Sequence, residues 1–558
     1  MSNQVSYSPL QQVRAFTELA SLIVRRGIVS FEGGFGVFLR GFGDLPRWGI
    51  TTAREVEQGA RCCPNRNALI DDDGVLSYQQ LRDGSRTLAQ WLLKYKKEAG
   101  LGELRIAIMA RNGRHFVMPL AAKSYAGGAV FLLNIGSSAE QIQGCIEENG
   151  INIIFTDDEF ADRMPESVRN GQVPLVWAHL GDITEAEREE VVAGAPHVDK
   201  LITLQHDLPK LPYRPKQGDI VLMSSGTTGV PKGILRDEPT IPYVLTGLLS
   251  AIPWYSNQTV LQSASMFHTW GWSTLNVALG SRSTLVTQRV FDPEKSMQQI
   301  QDYKIDGLIS SPIFYKQMLD LPDNEKWDTS TLKWIASSGN ALTTDLVGRM
   351  HERFGPILAN IYGSTELSLA TVATAEDIAK HPTAAGRVVP GSVVKLFDDA
   401  GGEVPQGQPG RIFLNNETAL KGYSNPETPI VMIDGLIEMG DRGYFDEDGQ
   451  LHVLGRNDDM IIIGGENVHP QSVTETLEPM PGIADVYAGG VDDEETFKRI
   501  AVWVVRSKDE HGQALTADAI RDWVRDKLAH HSIPRDVHFI DELPRNPTGK
   551  VMARFLPV

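Results

Sequence analysis

Hydroxyls, glycines and a lysine crowd into residues 224–233. Ser224, Ser225, Thr227 and Thr228 offer oxygen donors, Gly226 and Gly229 let backbone amides close around an anion, and Lys232 adds an ammonium group. Such a loop is suited to phosphate oxygens, so a polyphosphate ligand is the first inference. The order is not that of the Walker loop, because Pro231 precedes Lys232 and Gly233 follows it.

A second segment runs Asn360, Ile361, Tyr362, Gly363, Ser364, Thr365, Glu366. Tyr362 could stack on a purine, Thr365 could bond a phosphate oxygen, and Glu366 could coordinate Mg²⁺ as a hard oxygen ligand. In isolation the same residues would read as a capped helix start, Gly440-Asp-Arg-Gly443 as a turn, and Lys550 as a solvated terminal charge.

Taken together, in this order along the chain, the segments resemble the adenylate-forming superfamily of acyl-CoA synthetases, stand-alone adenylation domains and luciferases. The resemblance spans residues 221 to 550 and is weakest before residue 50. It implies ATP, Mg²⁺ and coenzyme A as cofactor and co-substrates. Residues 224–232 would hold the triphosphate, Thr365 would contact the α-phosphate and Glu366 the metal. Ser338, Gly339 and Asn340 fall in a segment bordering the adenine and the acyl group, and Asp441 would bond both ribose hydroxyls.

Arg456 is the implied contact to ribose or phosphate, and Asp458 the hinge about which a mobile C-terminal domain rotates. Gly464, Gly465 and Glu466 resemble the loop lining the pantetheine tunnel, although many relatives have lysine where this chain has Ile463. Lys550 matches the lysine that serves adenylation. Phe267 and His268 match the mouth of the acyl pocket, and Trp272 stands four residues on, where some long-chain members place a tunnel gate.

The elements needed to position these groups are legible in the hydrophobic pattern. Val221–Met223, Arg105–Met109, Ala129–Asn134, Asn152–Thr156, Leu201–Leu204, Thr284–Thr287, Gly307–Ile309 and Trp334–Ala336 read as strands, with a helix over 114–125. A capping box, Ser137 with Glu140, is expected to open a helix to about Asn149. Alternating strands and helices predict an α/β body of doubly wound mixed sheets. Turn residues at 398–402 and 448–449 predict a small β subdomain over about 391–455. A smaller, mobile α+β domain is expected over 456–558, with the AMP-binding domain over 51–455.

Residues 1–50 admit two readings. Val13–Val29 has helical apolar spacing and is followed by the glycine- and phenylalanine-rich run 31–43, read as a loop. The pair could pack on the main body or a partner subunit, or lie on a membrane surface.

The chain has 558 residues, enough for at least two domains. With 71 acidic and 53 basic residues its formal charge is −18, which argues against nucleic acid as a partner. Cys62, Cys63 and Cys145 give no disulfide framework or metal-ligand spacing. No signal peptide or spanning segment is apparent, so a cytoplasmic protein is expected, with peripheral membrane contact and a homodimer left open.

The reading is therefore an ATP-dependent ligase that activates a carboxylic acid, a medium- or long-chain fatty acid, as an acyl-adenylate and passes it to CoA. Carrier-loading members of the superfamily that the chain resembles usually have an insertion before the hinge; here only a hairpin-length stretch separates Asp441 from Arg456, so the resemblance implies CoA rather than a carrier protein as acceptor. The alternatives are a carrier-loading ligase, an aryl-acid ligase, and a non-enzymatic nucleotide-binding protein.

Overall fold

The computed structural model describes residues 9–224, 232–236, 244–457, 459–463, 466–493, 497–528, 530–547 and 549–557. Two mixed sheets organise the large body. The first runs Gly422–Tyr423, Lys232–Arg236, Gln217–Ser224, Gly128–Leu132, Arg105–Met109, Ile153–Thr156, Leu175–Trp177. Its central pairs are parallel, and strands such as Gly128–Leu132 are buried at every position, as covering by helices on both faces requires. The second has nine strands, with Gly307–Ser310, Trp334–Ser337 and Leu358–Ser364 side by side and parallel. Their carboxyl ends therefore open at one edge, where ligands of open α/β sheets bind.

Beyond residue 391 the chain folds into antiparallel hairpins, Ser392–Phe397, Gly410–Asn416 and Leu436–Phe445 among them. Register pairs Asp441 with Arg456 across the last of these hairpins. After residue 456 a three-stranded sheet and the helices Pro470–Leu477 and Ala517–Arg525 enclose a separate apolar core of Val473, Leu477, Val502 and Ile520. Among the described residues, no helix is long and apolar enough to cross a membrane.

Three local expectations fail. The helix Ala139–Asn149 is opened by Ser138 and Gln141, one residue later than expected, with the Ser138 side chain accepting from the Gln141 amide. This register turns Ile142, Cys145 and Ile146 inward, while Ser137 is itself buried. Leu201–Leu204 is no strand: Val198–Leu201 is a helical turn that buries Leu201 and leaves Leu204 exposed. A short apolar run has too little periodicity to separate the two.

The glycine-rich run is not a loop either, because Phe35–Trp48 is helical. Gly36, Gly41 and Gly43 face open space, and the helix is held by Trp48, buried edge-on against Tyr125 at 5.8 Å. Tertiary packing here outweighs the propensity cost of glycine, about 1 kcal/mol per residue. The helix Pro9–Arg25 and the turn after it are docked on the large body. Buried Arg282 donates to Glu32 (2.9 Å) and to the carbonyls of Gly27 (2.6 Å) and Ile28 (2.8 Å).

Candidate active site

A cavity of about 3290 Å³ lies where the carboxyl ends of the nine-stranded sheet meet the β subdomain and the C-terminal domain. Lys232, His268, Trp272, Ser338, Gly339, Asn340, Ile361, Gly363 and Thr365 all line it, as do Asn360, Tyr362, Glu366, Asp441, Arg456 and Lys550.

One wall is built around Asp441. Its Oδ2 accepts from the Tyr362 hydroxyl at 2.6 Å, and Oδ1 lies 3.3 Å from Arg456 Nη1. Gly440, at φ 77°, is needed here: a Cβ would come within 2.8 Å of the Arg456 guanidinium. Burial pushes the Asp441 carboxyl above its ordinary value, against the pull of Arg456, Tyr362 and Lys550. Burial, then the neighbouring Asp441, holds the Tyr362 phenol well above its usual range. A fixed, partly desolvated carboxylate of this kind is a strong acceptor for a pair of vicinal hydroxyls.

A second wall carries Thr365 and Glu366, in the turn between Leu358–Ser364 and Ser368–Ala373. The turn is tight enough that a Cβ on Gly363 would fall 1.7 Å from the Ser368 carbonyl oxygen. Asn360 is anchored below it by donating to the Ala384 carbonyl at 3.0 Å. Glu366 accepts from the Tyr423 hydroxyl, and burial together with Glu366 pushes that phenol up to about 12. Lys232 Nζ lies 5.7 Å from the centre of the Tyr423 ring.

Arg236, also facing Glu366, is fully enclosed, and loss of water pushes its guanidinium down to about 10 although Glu366 opposes the shift. Its Nη1 donates to the Ser368 hydroxyl, while Nε and Nη2 have no hydrogen-bond partner among the described residues. Buried donors left unpaired cost about 1–3 kcal/mol each, which an anion in the cavity would recover. Sequence reasoning passed over both Arg236 and Tyr423. A charged residue at the end of the apolar strand Ile234-Leu235 was a usable signal for the first; Tyr423 is brought in only by its pairing with Ile234, 189 positions away in the chain, which no local pattern encodes.

The third wall carries His268, Thr269 and Trp272. His268 stands at the N-cap of the helix Thr269–Gly280 without capping it. Its ring lies deep in the cleft, and burial, then the nearby Lys550 ammonium, pushes the imidazole down to about 4. His268 Nε2, Thr269 Oγ1 and Trp272 Nε1 are buried and have no hydrogen-bond partner among the described residues. Leu245, Leu248 and Val277, and Phe16, Leu19 and Ile23 of the N-terminal helix, also line this cavity.

A depressed imidazole pKa has a signed consequence for stability. The folded protein keeps His268 neutral from its ordinary value near 6.5 down to about 4, whereas the unfolded chain protonates over that window. Stability from this group is complete above pH 6.5 and is lost as pH falls towards 4, by up to about 3 kcal/mol. Denaturant unfolding of the wild type and of His268→Asn is expected to show that differential slope between pH 6.5 and 4 and none above pH 7. Parallel curves across the acid range would refute it.

Lys550 arrives from the C-terminal domain on a tight turn. The Asn546 amide donates to the Lys550 carbonyl and the Lys550 amide to Asn546 Oδ1, Arg545 Nη1 donates to the Gly549 carbonyl at 2.7 Å, and Arg545 bridges Val551. The turn is seated on the large body: Pro547 accepts from the Ser265 hydroxyl at 3.5 Å, and Gly549, at φ 84°, lies against Ile313. Asp485 is flanked by Arg545 at 2.8 Å and by Lys316 of the large body at 3.6 Å. Lys550 thereby acts electrostatically on His268 and on Asp441 at once.

Other sequence assignments lie outside the described residues, namely Ser225, Gly226, Thr227, Thr228, Gly229, Asp458, Gly464 and Gly465. Of Ser224 and Glu466 the backbone is described: Ser224 pairs with Lys232 across the mouth of the loop, and Glu466 pairs with Ile463.

The family description "AMP-binding enzyme" matches residues 56–424, and "AMP-binding enzyme C-terminal domain" matches 473–550. The chain belongs to the AMP-binding enzyme family. Within this adenylate-forming superfamily it is 28% identical to an indenyl-propanoyl:CoA ligase of Rhodococcus jostii, over 91% of this chain and 98% of that protein. It is also 28% identical to the fatty acid–acyl-carrier-protein ligase ScoC of Streptomyces coeruleorubidus, over 88% of this chain and 93% of ScoC. The fold matches that of o-succinylbenzoate CoA synthetase of Bacillus subtilis, solved with its acyl-adenylate intermediate, at a TM-score of 0.74 and 22% identity, over 90% of this chain and 97% of that one. The AMP-binding enzyme fold thus agrees with the expected α/β body and smaller C-terminal domain.

Proposed function

We propose that this AMP-binding enzyme converts a carboxylic acid, ATP and CoA into an acyl-CoA, AMP and pyrophosphate. The observation that carries the reading is the position of Lys550, between the His268 mouth of the acyl cavity and the Asp441 anchor. A carboxylate oxygen bonds to the α-phosphorus of ATP, the bond to the β-phosphate oxygen breaks, and pyrophosphate leaves. The CoA thiolate then attacks the acyl carbon, and AMP departs with the bonding pair.

The first step presses one anion against another, so fixed positive charge at the cleft lowers its barrier. Lys232, Arg236 and Lys550 supply that charge, and Asp441 with Tyr362 and Arg456 orients the ribose. Mg²⁺ fits at Glu366, a hard oxygen donor on the cavity wall, where it would neutralise phosphate charge. His268 stays neutral in the cleft and holds its buried Nε2 towards the cavity, where it could accept a hydrogen bond but adds no charge.

In this reading residues 51–455 form the AMP-binding domain and 456–558 the mobile domain, which turns about Asp458 to bring Gly464, Gly465 and Glu466 towards the thiol. Such rotation would exchange Lys550 for a different set of side chains between the two steps.

The acid we assign is of medium or long chain, because Trp272 shares the cavity's lining with apolar side chains that include Leu245, Leu248 and Val277 and three of the N-terminal helix, Phe16, Leu19 and Ile23. Unpartnered Trp272 Nε1 and Thr269 Oγ1 favour a second reading, an aryl or otherwise functionalised acid with a polar atom near the mouth. An acid panel from acetate through long fatty acids to benzoates, assayed for CoA-dependent AMP release, tests both. The expected optimum is a fatty acid, and Trp272→Ala is expected to move it towards longer or bulkier acids by tenfold or so in kcat/KM, on the scale of one or two lost pocket contacts. An unmoved optimum would dismiss Trp272 as a gate; release of AMP with a carrier protein and none with CoA would replace the acceptor.

A further inference from the structure

Outside the active-site cleft, three chain segments converge on one small cluster. Asp73 comes from the turn between Asn67–Asp71 and Gly74–Ser77, His115 from the first turn of Arg114–Ala126, and His179 from the loop after Leu175–Trp177. One ligand atom from each lies within 4.8 Å of the others. Asp73 Oδ2 stands 3.5 Å from His115 Nδ1 and 3.8 Å from His179 Nδ1.

Those separations are too long for good hydrogen bonds and close to the spacing of about 3.3 Å between ligand atoms around tetrahedral zinc. The far nitrogens have carboxylates behind them: His115 Nε2 is 3.1 Å from Asp199 Oδ1, and His179 Nε2 is 3.9 Å from Asp182 Oδ2. The bond to Asp199 puts the His115 proton on Nε2 and aims the Nδ1 lone pair at Asp73. His179 Nδ1 is buried and has no hydrogen-bond partner among the described residues. Nδ1 of both imidazoles thus faces one carboxylate oxygen, at 3.5 and 3.8 Å, a spacing that a metal ion held among the three atoms would bridge.

Charge points the same way. Asp71 is paired with Arg114, Asp72 with Lys295, Glu159 with Arg111, and Asp182 with Arg289. Asp73 and Asp199 form ion pairs only with imidazoles among the described residues. The other such cluster, His381, Asp446 and His452, lacks the feature, because His452 already makes a 2.9 Å hydrogen bond to Asp446.

We propose that Asp73, His115 and His179 bind a divalent transition-metal ion, Zn²⁺ by donor set, with the fourth position open to water on the exposed Asp73 side. Two imidazoles and one carboxylate, with carboxylates behind the imidazoles, are a donor set and surround that suit this ion. The ion would staple the 71–74 turn to the helix and the loop at the edge of the seven-stranded sheet.

The test uses the full chain, stripped with chelator and free of nucleotide. Zn²⁺ titration against a competing dye is expected to give one tight equivalent per chain, and Co²⁺ the intense visible bands of a tetrahedral site. His115→Ala and His179→Ala are expected to abolish that equivalent, and Asp199→Asn to weaken it about tenfold through the His115 ring. Asp73→Asn, at an exposed turn, gives a readout should the buried variants fail to fold, and is likewise expected to lose the bands. His381→Ala is expected to retain the site in full. Absence of binding, persistence of the equivalent in Asp73→Asn, or its loss in His381→Ala would each overturn the assignment.

Discussion

Lys550→Ala is expected to lower acid-dependent ATP–pyrophosphate exchange by about 10²–10³-fold, the scale of one preorganised charge removed from a developing transition state, or roughly 3–4 kcal/mol. The turn Arg545–Val551 is closed by backbone bonds and by Arg545, so truncating the lysine leaves its carrier in place. Transfer from a presynthesised acyl-adenylate to CoA should be nearly unaffected, because that step begins after the ammonium has finished its work. The split between the half-reactions is the decisive measurement. Equal losses in both would mean that Lys550 holds the domains together and does not act on the phosphate.

Gly549→Ala is expected to lower the same exchange about a hundredfold while leaving Lys550 present. At φ 84° an alanine is strained by about 1–2 kcal/mol, and its Cβ would sit 2.1 Å from Ile313 Cγ2, so the turn cannot seat. Adding Ile313→Ala should recover the part due to collision and leave the part due to backbone strain. A Gly549→Ala enzyme with normal exchange would show that this docking geometry is not the one used for adenylation. Recovery to the wild-type rate in the double variant would show that backbone strain contributes nothing.

Much of the body could be read from the chain because its strands are buried on both faces and hence nearly continuous in hydrophobicity. Arg105–Met109 and Gly307–Ser310 fall within a residue of their expected bounds. Helix caps were legible to one residue, as Ser138 shows, since neighbouring serines offer the same chemistry and only the inward face chooses between them. The helix Phe35–Trp48 was not legible, because three glycines and Pro46 speak against it locally and the decisive contact is with Tyr125, far along the chain.

The site divides on the same principle. Segments that carry several chemical groups within a few residues, such as Tyr362 to Glu366, announced themselves. Tyr423 and Arg236 did not, because their meaning depends on Glu366 being opposite, and that is fixed by sheet pairing. The metal cluster is more extreme still: Asp73, His115 and His179 are drawn from three elements with no shared motif.

Arg282 gives the opening fifty residues a standing that their distance from the recognisable motifs conceals. By riveting the Gly27–Glu32 bend to the body, it keeps Phe16, Leu19 and Ile23 in the lining of the cleft, so under the proposed function a trimmed or bulky front end would be felt as changed appetite for substrate. On that reading, selectivity would be shared with a stretch that contributes no reacting atom.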